Sequence, residues 1–170
     1  KYENREALRY RDYDVNQWKS VTWREVSNTV HLAANALVTL GVKEEENIGI
    51  FSQNKPECLY ADFAGHANRA VSIPLYATSS AAQAQYIIDD AQIRFLFVGE
   101  QYQYDTAFSV LGICPSLEKL ILFDRKIQKH ERDTTSIYFD EFLQMGEGLP
   151  HAAVVAERTG RASMDDLANI

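Results

Sequence analysis

The chain has 170 residues, 46% of them hydrophobic and 24% charged, with a net charge of −7 and a pI near 5.1. That length suits one domain or a large part of one, with a sizeable core. The acidic balance gives nucleic-acid binding no electrostatic support, and no apolar run is long enough to cross a membrane.

The chain begins Lys-Tyr-Glu-Asn-Arg-Glu, without an initiator Met or an apolar leader, and is expected to start inside a longer protein. Residues 1–21 read as a β-hairpin: Leu8-Arg9-Tyr10 and Trp18 to Val21 flank a polar turn. Thr22-Trp23-Arg24-Glu25 is a capping box. Behind it Val26, Val30, Ala33, Ala34, Leu37 and Leu40 keep a helical spacing, and Gly41 is placed to end the helix.

Residues 22–123 then alternate strand and helix. "IGIFS" is a strand. The polar turn after it leads to a helix with Asn54 as its cap, Pro56 in its first turn, and Leu59, Phe63 and Ala67 as its apolar face. "AVSIPLY" is a second strand, put at an edge by Pro74. Ser79 or Ser80 caps a helix with Ala84, Ile87, Ile88 and Ala91 inward. "IRFLFVG" is an apolar run suited to a strand covered on both faces. A helix over 104–113 and the strand "LEKLILFD" follow. The fold class is therefore α/β, a mostly parallel sheet flanked by helices and joined by right-handed crossovers, with a small N-terminal hairpin.

Residues 124–170 break the pattern. "DRKIQKHERDTTS" mixes both charge signs and reads as a solvated connection. "SIYFDEFLQMG" predicts a short helix with Ile137, Phe139, Phe142 and Leu143 inward. The remainder reads as surface chain, with a last turn at Met164-Asp165-Asp166-Leu167.

Catalytic motifs are sparse. No GxGxxG, GxxxxGK[ST] or GxSxG occurs. Cys58 and Cys114 form no CxxC pair and read as buried small residues. His31, His66, His130 and His151 have no metal-ligand spacing. Asp89-Asp90 and Asp165-Asp166 read as solvated helix ends, since adjacent helix residues do not face each other. The turn "SQNKPE" lacks the glycines that let backbone amides approach a phosphate, so it reads as a helix start.

The segments "WKSVTWREV", "ALVTLGVKEEENIGIFSQNKPECLYADFA", "AVSIPLYATSSAAQAQYIIDDAQIRFLFVGE" and "LEKLILFD" resemble, in order and spacing, the AMP-forming acyl-CoA synthetases. Bacterial long-chain fatty acid–CoA ligases are the most similar in look, over residues 7–170. The resemblance implies the N-terminal AMP-binding domain of an enzyme that uses ATP and Mg²⁺ to form an acyl-adenylate from a fatty acid. Coenzyme A then takes the acyl group. It implies a Ser/Thr/Gly-rich phosphate loop soon after a segment like "DDLANI", then a Tyr-Gly-x-Thr-Glu segment, a ribose-binding Asp and a C-terminal Lys. None of these is among the 170 residues, so no catalytic, cofactor-binding or metal residue is assigned. The segment alone is expected to be inactive and to bind no cofactor tightly.

Two departures from the pattern are visible. "SSAAQAQYII" is more neutral than is common, and Asn68-Arg69-Ala70 replaces a run of small residues with glycine. Tyr76 and Thr78 follow a strand's C-terminal end; they read either as a lead-in to the next helix or as residues near the acyl or nucleotide cleft. A cytoplasmic location, peripheral membrane association of the longer protein and self-association of this segment are further expectations. The alternatives are an adenylating ligase for another carboxylate and a stand-alone flavodoxin-like binding module.

Overall fold

A computed structural model describes residues 2–170. The N-terminal hairpin pairs β1 (Glu6–Asp12) with β2 (Gln17–Thr22), antiparallel. Helix α1 (Trp23–Thr39) starts on the expected box: Thr22 Oγ1 accepts the Glu25 amide, and the Glu25 carboxylate accepts the Thr22 amide at 2.7 Å. It ends in a Schellman motif. Gly41 takes φ 81, its N–H donates to Val38 O, and the N–H of buried Val42 donates to Leu37 O.

The body is a five-stranded sheet. In chain order its elements are β3 (Asn47–Phe51), α2 (Pro56–Ala67), β4 (Val71–Leu75), α3 (Ala81–Asp90), β5 (Phe95–Val98), α4 (Gln101–Val110), β6 (Lys119–Leu122), β7 (Ile137–Tyr138), α5 (Phe139–Gln144) and α6 (Ala152–Gly160). The strand order is β4-β3-β5-β6-β7, all parallel. Pro74 does lie on an edge strand, and it is exposed.

The period of two along each strand sorts side chains onto two faces. Ile48, Ile50, Phe95, Phe97 and Ile121 pack with residues of α1, α2, α5 and α6. Leu96, Val98, Leu120 and Leu122 pack with residues of α3 and α4. Because both faces are covered, the central strands can be apolar throughout. On the first face Phe97 meets Phe142 edge-on at 5.5 Å and Phe123 stacked at 5.8 Å.

Several expectations need correction. The cap of α2 is Lys55, not Asn54, and it makes no side-chain cap bond. The buried face of α2 is Tyr60, Ala61, Ala64 and Gly65; Phe63 is exposed. Gly65 lets this helix lie close on β3, since a Cβ there would meet Ile48 Cδ1 at 2.6 Å, whereas Phe63 is exposed. Helix α4 starts three residues earlier than expected. Ile137 belongs to a short strand, β7, and α5 starts after it. Residues 152–160 form a helix, α6, anchored by buried Val155. Asp166 sits in a turn beyond α6 and is ion-paired to Arg69, so it is not a solvated helix end.

Candidate functional site

A parallel sheet of this order reverses direction between β3 and β5, and ligands of doubly wound proteins gather outside the carboxyl ends of the strands there. In this chain that crevice is filled by its own residues. A Cβ on Gly99 would lie 2.1 Å from Ser52 Oγ and 2.9 Å from Ser52 Cα, so the loops after β3 and β5 touch. Lys55 crosses above them. Its Nζ lies 3.4 Å from both Gly99 O and Glu100 and 3.8 Å from Asp124. Lys55 is thus committed to two carboxylates.

The open space is displaced toward the sheet edge. A cavity of about 590 Å³ lies at the ends of β3 and β4. Its polar lining includes Ser52, Gln53, Asn54, Lys55, Asp62 and Asn169; Leu59 and Pro74 give it apolar surface. The turn read from sequence as only a helix start is therefore also a cavity wall. Tyr76 lines the same cavity and is 85% exposed; Thr78 is exposed but is not among the lining residues. Asn169 is brought there from the far end of the chain. It forms a parallel bridge with Ser72 on β4, and its Oδ1 lies 2.9 Å from His66 Nε2. No local signal announced Asn169, because its placement depends on the chain returning to the β4 edge.

Burial pushes the thiol of Cys58 up, away from the thiolate a nucleophile needs. Burial likewise raises the carboxyl of Glu57 beside it. Among the described residues no group of three or more His, Cys, Asp or Glu could hold a metal ion, and no described helix is long and apolar enough to cross a membrane. With no glycine-rich loop and Lys55 already paired, the described residues do not by themselves fit a nucleotide triphosphate and its metal. No chemical step is routed through them.

Fold and cavity together define a doubly wound α/β unit with an open cavity at one edge of its sheet. The family model described as AMP-binding enzyme matches residues 1–170, and the chain belongs to that family. Long chain acyl-CoA synthetase 4 of Arabidopsis thaliana is 31% identical over 171 residues, spanning 94% of this chain and 25% of that protein. The long-chain-fatty-acid–CoA ligase FadD15 of Mycobacterium bovis is 33% identical over 104 residues, 61% of this chain and 17% of the relative. The chain thus spans a quarter or less of the length of these relatives, and it resembles the N-terminal part of such ligases.

Among solved structures, the anthranilate CoA ligase AuaEII in complex with anthranoyl-AMP superposes with a TM-score of 0.72. It is 24% identical, and the match covers 84% of this chain and 25% of that one. A coronafacic acid ligase from Pectobacterium brasiliense, in its R395G form, gives 0.66 at 18% identity, over 74% and 24% of the two chains. At these identities the likeness speaks for the fold.

Proposed function

We propose that this chain is the N-terminal segment of a long-chain fatty acid–CoA ligase, which joins a fatty acid to coenzyme A through an acyl-adenylate made from ATP with Mg²⁺. The observation that carries this reading is the 31% identity running through 94% of the chain to a long chain acyl-CoA synthetase. The segment supplies the scaffold and one cavity wall, and by itself does not adenylate, because transferring groups need placed cationic donors and Lys55 on this cavity is already paired with Glu100 and Asp124. Tyr76 and Thr78 stand near the acyl or nucleotide cleft; the place of Tyr76 on the cavity wall supports this. A cytoplasmic location, with peripheral membrane contact suited to a fatty acid substrate, and self-association of the segment complete the reading.

The test is carboxylate-dependent ATP–pyrophosphate exchange by the enzyme that carries this segment together with its phosphate loop. Exchange driven by long-chain fatty acids is the expected result. Exchange driven only by a short or aromatic acid moves the substrate to another carboxylate, and exchange with no acid at all overturns the ligase reading. Acyl-CoA formation unchanged by joint Tyr76→Ala and Thr78→Ala substitution would remove those two residues from the cleft. Sedimentation of the intact enzyme with lipid vesicles is expected; its remaining wholly in the supernatant would remove the membrane contact.

A further inference from the structure

Arg69 stands in the turn between α2 and β4 with φ 54. That left-handed region suits glycine, and a side chain there is strained. The side chain itself supplies a reason for its presence. Its guanidinium grips Asp166 as a fork, Nε to Oδ2 at 2.7 Å and Nη2 to Oδ1 at 2.8 Å. Its remaining nitrogen pairs with Glu44, whose other oxygen takes Arg161 just past the end of α6. Asp166 also accepts the amide of Ser163 at 3.1 Å, which closes the turn around it.

Just beyond that turn the chain lies along the outer edge of β4. The Ser72 N–H donates to Ala168 O at 2.8 Å, and the Ile170 N–H donates to Ser72 O at 3.3 Å. Between those bonds sits Asn169, a wall of the cavity. The fork at Arg69 and the bridge at Ser72 therefore hold the two ends of one short segment against the same stretch of chain.

We propose that Arg69 is a positioning residue: its fork on Asp166 fixes the register in which residues 168–170 lie on β4, and so sets Asn169 into the cavity wall. A bidentate pair carries geometric specificity that a point charge does not. The consequence for activity rests on the ligase reading; the register does not.

Amide hydrogen exchange in the 170-residue chain tests the register directly. The reporter is the Ser72 N–H; the control is the Val71 N–H, which donates to Glu46 O at 3.0 Å. Arg69→Gly removes the fork and keeps a residue suited to the backbone. It should speed exchange at Ser72 by about tenfold and leave Val71 unchanged, as loss of a charge-assisted contact loosens one local unit. Arg69→Lys keeps the charge without the fork and should fall between. Unchanged Ser72 exchange in Arg69→Gly overturns the proposal, and so does a rise shared equally by Val71 and Ser72. In the ligase carrying this segment, Arg69→Gly should raise KM more than it lowers kcat, with partial rescue by Arg69→Lys. Absence of ligase activity in the unmutated enzyme would overturn the functional reading and leave the exchange result to decide the register.

Discussion

At the scale of the residue, the Arg69–Asp166 pair makes a prediction that needs no knowledge of the reaction. The Arg69 fork, aided by the Ser163 amide, holds the Asp166 carboxyl down to about 2. An unfolded Asp titrates near 3.9. A carboxyl depressed on folding stabilises the native chain above its unfolded value. That contribution is lost as pH falls from about 4 through about 2. The Asp166 carboxyl should therefore titrate near its depressed value by NMR, and Arg69→Gly should return the midpoint toward the ordinary range. A midpoint near 3.9 in the unsubstituted chain would sink the pairing. Lys19 and Arg125 likewise hold the carboxyls of Asp12 and Asp140 below the usual range. The Lys126–Asp14 ion pair is well exposed on both sides, and pairs of that kind contribute little to stability.

At the scale of the element, the capping box of α1 was the most legible feature. Thr22 accepts the Glu25 amide, as its spacing implied, and of the two serines offered for α3 it is Ser80 that caps, accepting the Gln83 amide. Thr22→Ala should lower the stability of the chain by about 1 kcal/mol. Urea unfolding that matches the unsubstituted chain within error would show that α1 does not depend on this cap. The parallel strands were legible for a related reason: "FLFV" is apolar throughout because both sides are covered. What escaped was marked by weak or long-range signals. Helix α6 has no side-chain cap on His151 to mark its start, and Val155 is its buried residue. β7 is two residues long and exists only because β6 offers it an edge. The cap at Lys55 escaped because its role is set by backbone geometry, without a side-chain bond. The cavity joins the turn at Gln53 and Asn54 to Asn169, and that contact follows from sheet order, which no local spacing reports.

At the scale of the whole molecule, part of the apolar surface this chain leaves uncovered lies near the cavity edge. Phe63 contacts the His66 ring, and His66 meets Asn169. Tyr76 is 85% exposed on the same cavity, and Ile170, next to Asn169, is 69% exposed. The neighbouring edge of β4 is poorly suited to pair with another strand. Ser72 already bonds to residues 168 and 170, and Pro74 has no N–H to offer. Association of the 170-residue chain with a second copy at this edge should therefore proceed through side-chain burial and not through sheet extension. Two consequences separate these modes. Association by apolar burial should persist or strengthen in added sulfate, whereas association through surface charges should weaken as salt screens them. Substituting Phe63→Lys should shift sedimentation toward monomer without changing the far-ultraviolet spectrum. A monomer over a wide range of concentration would overturn self-association. Weakening in salt, or indifference to Phe63→Lys, would move the contact away from the cavity edge.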